Sequence, residues 1–132
     1  MKLLRAALRW HAVLWAAFGF TLIVAPGWLV ESALDQPALG EDAWLRATGV
    51  MAIALAGQMV LVGHRIEELW WWSWTFVLLE VGTALVFLLN ALVGLPEGAA
   101  AWPWWALVAV NAGFAVLLVV ALARAGTERS PA

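Results

Sequence analysis

Four stretches of this chain are almost free of charge, and short polar segments separate them. The first runs from Ala12 to Val30 (AVLWAAFGFTLIVAPGWLV) and the second from Trp44 to Gly63 (WLRATGVMAIALAGQMVLVG); the third runs from Leu69 to Val93 and the fourth from Trp105 to Ala123. A helix of about 20 apolar residues crosses roughly 30 Å of hydrocarbon, so each stretch can make one crossing. The segments between them, ESALDQPALGED, HRIEE and GLPEGAAAWPW, are short enough to force antiparallel neighbours. The pattern predicts an all-α membrane protein, an antiparallel four-helix transmembrane bundle with helices over 7–30, 43–63, 69–93 and 103–124. They form one domain over 1–126, followed by a polar tail at 127–132 that is expected to fray. Pro26 and Gly27 should kink or break the first helix near its far end.

Composition agrees. The chain is 65% hydrophobic and 12% charged, with a mean hydropathy of +0.90, whereas soluble domains carry about 25% charged residues. A soluble fold is nearly excluded on that ground. A net charge of −2 offers no basic surface for nucleic acid, and the absence of cysteine removes disulfides, thiolate metal sites and cysteine nucleophiles. The basic residues decide orientation. Lys2, Arg5, Arg9, Arg65, Arg124 and Arg129 fall on one side of the four-pass scheme and only Arg46 on the other, so the positive-inside rule makes both termini cytoplasmic. A basic start before an apolar run also describes a signal peptide; the length of the run and the lack of a small-x-small cleavage site favour a retained helix.

Tryptophan marks the ends of the crossings. Trp70, Trp71, Trp72 and Trp74 follow the charged turn before the third helix, and Trp102, Trp104 and Trp105 open the fourth. Trp10, Trp15, Trp28 and Trp44 also lie near expected ends. An indole ring is apolar while its N–H seeks the wet headgroup zone, so these residues read as interfacial anchors. A docking surface for a partner or a flat pigment is the sharper alternative. Three consecutive indoles point around most of a helix, which leaves at least one facing lipid or a partner.

Polar residues inside the apolar runs are the candidate site. Glu80 sits near the middle of the third run, where an ionised carboxylate is costly and normally faces other helices. Ser73, Glu80, Thr83 and Asn90 share one face of that helix. In the second helix Arg46, Gly49, Ala52, Ala56 and Gly63 form a face of small residues with the arginine at one end, which favours close helix approach. Arg46 is expected to point inward, toward Asp42 or toward Asn90 and Glu80. Asn111, beside Ala109 and Gly113, is the expected neutral partner of Glu80. The cluster Glu80, Arg46, Asn90, Asn111 and Thr83 reads either as an interhelical polar clamp or as a proton relay, an ion path or a headgroup pocket.

His11 and His64 are expected at the cytoplasmic ends of adjacent helices. Facing imidazoles there could ligate a haem or chlorophyll, but a basic N-terminus and a charged turn favour two solvated side chains, so no cofactor or metal is expected. A phosphate-binding glycine loop, a dinucleotide fingerprint, a GxSxG elbow and an HExxH pair are absent from the sequence, and no catalytic residue is assigned.

Pro26 closing the first helix, an acidic loop, RATGVMAIALAG opening the second helix and NAGFAVLL in the fourth together resemble small bacterial four-pass membrane proteins of the DoxX-like and DUF4345-like families. The resemblance spans most of the chain, with Arg46 and Gly49 on the recurring pattern; Glu80 and the tryptophan cluster lie outside it. It implies a four-helix bundle in the inner membrane of a bacterium, with no settled activity. The function expected first is a non-enzymatic integral protein, an accessory or interaction subunit that contacts membrane lipids and a larger membrane complex or itself. The alternatives are a small proton- or solute-coupled carrier or channel using Glu80, and a module binding quinone, lipid or pigment.

Overall fold

The computed structural model describes residues 1–129; the last part of the polar tail, 130–132, lies outside the described residues. The described chain is all helical: α1 (Lys2–Val24), α2 (Ala43–His64), α3 (Ile66–Leu69), α4 (Ser73–Val93) and α5 (Trp102–Arg129). Four helical stretches, Lys2–Val24, Ala43–His64, Ile66–Val93 and Trp102–Glu128, are long and apolar enough to cross a membrane. Their outward surface is apolar too, with Val60, Leu61, Leu78, Leu85, Val86 and Leu92 among the exposed side chains. A surface of this kind suits lipid rather than water.

The helix bounds differ from the expected ones at informative places. α1 starts at Lys2 and stops at Val24 rather than spanning 7–30. Pro26 disfavours helical backbone at Ala25, which adopts φ −139° and ψ 59°, and the chain resumes as a π-helical turn over Trp28–Ala33. The third crossing is interrupted as well, because Trp70–Trp72 form a 3₁₀ turn between α3 and α4. The fourth helix continues to Arg129, so the first residues of the expected frayed tail are helical.

The architecture is two antiparallel hairpins. α1 packs on α2 and α4 on α5 along their lengths, and the hairpins meet through α1 and α5. Between α2 and α4 there is no comparable packing; the Trp70–Trp72 turn touches α2 and closes that seam at one end. The small face of α2 serves the first hairpin: Gly49, Ala52, Ala56 and Gly63 are all buried, and Gly49 meets Gly19 of α1 backbone to backbone.

Packing is uneven along the bundle. The dry core lies toward the chain termini, where Leu4, Leu8, Met59, Ile66, Leu118 and Leu122 are fully or almost fully buried. Arg5 closes this end by donating from Nε to the Gly63 carbonyl (3.1 Å) and by approaching Glu67 (3.8 Å). At the opposite end the two long connections are tied together by Gln36. Its amide nitrogen lies 2.8, 3.1 and 2.9 Å from the carbonyls of Leu34, Asp35 and Ala100, and its Oε1 accepts the Trp104 indole N–H (3.1 Å). Ala100 N–H adds a bond to the Asp35 carbonyl (3.2 Å). Beside this clasp, Pro96 and Ala99 close a turn that needs Gly98 at φ +81°, a conformation open to glycine at little cost.

Arg46 corrects one expectation. It is exposed and does not reach Glu80; its Nη1 donates to the Ile23 carbonyl (2.8 Å) at the end of α1. The last carbonyls of a helix lack intrahelical partners, and a guanidinium supplies one. Arg46→Gln is therefore expected to lower stability by about 0.5–1.5 kcal/mol, measured as unfolding in mixed micelles, while leaving the interior of the bundle unchanged.

Candidate functional site

The end of the bundle opposite the dry core is hollow. Three helices contribute one face each to a small cavity of about 70 Å³: His11, Leu14, Trp15 and Phe18 from α1, Glu80, Thr83 and Phe87 from α4, and Leu107, Val110, Asn111 and Phe114 from α5. Each set is spaced three, four and seven residues apart, the repeat that keeps side chains on one side of a helix. α2 takes no part, because its small face is spent on α1.

The polar centre of this cavity is a histidine–glutamate pair. His11 Nε2 lies 2.7 Å from Glu80 Oε1, and both side chains are essentially inaccessible, at 1% and 2% exposure. Trp15 Nε1 lies 2.8 Å from His11 Nε2 and 3.2 Å from Glu80 Oε1. The imidazole stacks on Phe114 with ring centroids 4.6 Å apart and planes inclined by 15°. His11 Nδ1 is buried and has no hydrogen-bond partner among the described residues. Buried polar atoms are normally partnered, so this orphan is a property of the site that calls for explanation.

The expected residues are distributed unevenly. Glu80, Thr83 and Asn111 line the same cavity, but Asn111 makes no hydrogen bond to Glu80. Its Nδ2 donates to the Leu107 carbonyl (2.7 Å), and Thr83 Oγ1 donates to the Leu79 carbonyl (2.7 Å). Both thus spend a donor on their own helix. Asn90 lies further along α4, in a second and larger cavity of about 450 Å³. That vestibule shares Phe18, Phe87 and Leu107 with the small cavity, and Gln36 and Trp104 stand at its loop end. Leu45 and Thr48 of α2 and Phe87 and Asn90 of α4 both line it, so it occupies the seam that α2 and α4 leave unpacked.

The histidines are corrected most. His11 is not a solvated residue at a helix end: it is fully buried on Glu80, whereas His64 is exposed at the end of α2. Facing-histidine ligation of a cofactor therefore has no geometric basis, and the described residues contain no cluster of metal-ligating side chains. The tryptophans divide into two groups. Trp71, Trp72, Trp74, Trp102 and Trp105 are exposed, with Trp71 and Trp72 packed at a ring separation of 5.0 Å. Trp70 is half-buried against the core, and Trp15 and Trp104 turn their N–H groups to Glu80 and His11 and to Gln36. The spacing of His11, Trp15 and Phe18 on one face was the signal in the sequence for the buried histidine.

No family model, curated protein or solved structure matches this chain.

Proposed function

We propose that this chain is a multi-pass protein of the bacterial cytoplasmic membrane, with both termini cytoplasmic, that binds a small apolar molecule inside its bundle. The observation that carries this reading is the vestibule of about 450 Å³ adjoining the buried His11–Glu80–Trp15 group. Ligand pockets are typically apolar cavities of roughly 300–1,000 Å³ with a few convergent polar groups, whereas a core built for stability alone keeps few voids larger than a water. The unpacked α2–α4 seam gives such a molecule a lateral path from lipid.

Binding without catalysis is preferred to the other expectations for physical reasons. An accessory subunit would use the exposed tryptophans, but a lipid interface accounts for those equally well, and it needs no internal cavity ending on a buried acid. A proton- or solute-coupled carrier would use Glu80 but needs access from both sides. Toward the termini the interior is filled by Leu4, Leu8, Leu118 and Leu122.

Native mass spectrometry of protein extracted gently from its own membranes tests the reading. One small apolar molecule per chain is the expected result. A bare chain, or a stoichiometric larger protein assembly holding no small molecule, would overturn it.

A further inference from the structure

We infer that the ligand is an apolar chain whose head is an uncharged carbonyl, and that this oxygen accepts a hydrogen bond from Nδ1 of His11; the inference rests on the binding role proposed above. Three arrangements of His11 and Glu80 carry no net charge. The one with neutral Nε2–H toward Oε1 and the acid proton on Oε2 would make Nδ1 an acceptor, but it turns a donor toward the Trp15 N–H 2.8 Å from Nε2 without the gain of an ionic hydrogen bond, so the other two are preferred. In the ion pair, imidazolium Nε2–H donates to the carboxylate, the Trp15 N–H also falls to Oε1, and Nδ1 keeps its hydrogen. In the other neutral pair, the carboxylic acid donates to Nε2, and the imidazole must again carry its hydrogen on Nδ1. Shifting the proton across the 2.7 Å contact interconverts the two without changing Nδ1. An uncompensated charge in a dry interior costs several kcal/mol, and Arg46, the cation expected to offset one, is committed to Ile23 at the loop end. The orphan atom of the site is therefore an N–H donor that lacks an acceptor.

Size and charge narrow what can supply the acceptor. The inner cavity of about 70 Å³ holds about two water-sized groups, at roughly 30 Å³ of liquid volume each. A carbonyl fits there, past Phe18, Phe87 and Leu107, which line both cavities; a phosphate ester, a sugar or a fused ring does not. An anionic or cationic head would add net charge beside a pair that already balances. The vestibule, whose walls are leucine, valine, proline and phenylalanine apart from Gln36, Thr48, Asn90, Gly94 and Trp104, then takes the rest of the chain. Water alone could also occupy the inner cavity, and the experiment distinguishes that case.

The test uses the full-length protein in lipid nanodiscs and four twelve-carbon probes: a methyl ketone, an alkane, a primary amine and a carboxylate. Occupancy is read by native mass spectrometry, and the environment of Nδ1 by NMR of protein labelled at its histidine nitrogens. With only 2 histidines in the chain, His64 serves as internal control. The ketone is expected to bind about three- to tenfold more tightly than the alkane and to shift the His11 Nδ1–H signal while leaving that of His64 in place. Equal binding of ketone and alkane with no shift would mean that water satisfies Nδ1; the carbonyl inference would then fall while the binding role stood. Preference for the amine or the carboxylate would overturn the inference by showing a charged head. If none of the four binds, the proposed function fails with it.

Discussion

Glu80→Leu is expected to destabilise the bundle by about 3–5 kcal/mol, the cost of removing one partner from a buried charged pair. The loss exceeds that of one contact because Oε1 serves two groups: His11 Nε2 at 2.7 Å and Trp15 Nε1 at 3.2 Å. Without it, His11 and Trp15 keep only each other across the 2.8 Å contact. Glu80→Gln keeps an acceptor oxygen in place and is expected to cost only about 1 kcal/mol, with the fold retained. His11→Phe should resemble Glu80→Leu in size, since it strands the carboxyl group. The double substitution His11→Phe with Glu80→Leu removes both polar partners and keeps a ring against Phe114, so it should be more stable than either single variant. A double-mutant cycle read by unfolding in mixed micelles decides the matter. Ordinary interhelical hydrogen bonds in membranes couple by about 0.6 kcal/mol. Here a coupling of about 2 kcal/mol or more is expected, and additive effects would show that the pair is incidental.

Much of the fold is legible in the sequence because hydrophobic length and small-residue spacing are local signals. Four apolar runs give four long helices, and the Gly49, Ala52, Ala56, Gly63 face lies where its spacing places it, against α1. Glu80, set among leucines and valines, declares itself by its cost. His11 was hidden by an error of register at a helix start. If α1 began near residue 7, His11 would stand about one turn from its start; since it begins at Lys2, His11 lies about 14 Å along the axis at 1.5 Å per residue. Basic residues in that first stretch reach the end of the bundle with long side chains, as Arg5 does toward Gly63 and Glu67, so their presence does not delay the helix.

Other features depend on tertiary partners that no local pattern contains. Gln36 lies in a loop that reads as solvated, and its role appears only when Ala100 and Trp104 are brought beside it. Arg46 lies in line with the inward face of α2, yet it donates to a carbonyl at the end of α1. That acceptor exists because Pro26 stops the helix there. The vestibule follows from a similar competition: α2 buries its small face on α1, and little of it remains to pack on α4.

Gly49→Ala is the second large effect expected, at about 3 kcal/mol of destabilisation, the upper end of what overpacking costs. A methyl group at Gly49 would sit 2.6 Å from the Gly19 carbonyl oxygen, 2.8 Å from Ile23 Cγ1 and 3.0 Å from Leu22 Cβ. The first of these is backbone, which cannot rotate away as a side chain can, so α1 and α2 must separate. The reciprocal change is no easier, since a Cβ at Gly19 would meet the Gly49 carbonyl at 2.7 Å. Gly57→Ala in the same helix supplies the control. Nothing lies within 4 Å of its added methyl, and relief of glycine's conformational entropy should stabilise it by roughly 0.5–1 kcal/mol. The same chemical change eight residues apart is thus expected to have opposite signs in one unfolding assay. Separation at Gly49 would also move Leu22 of α1 relative to Leu45 and Thr48 of α2, all of which line the vestibule, so ligand occupancy should fall with stability. Equal effects of the two substitutions would mean that α1 and α2 do not meet through these glycines.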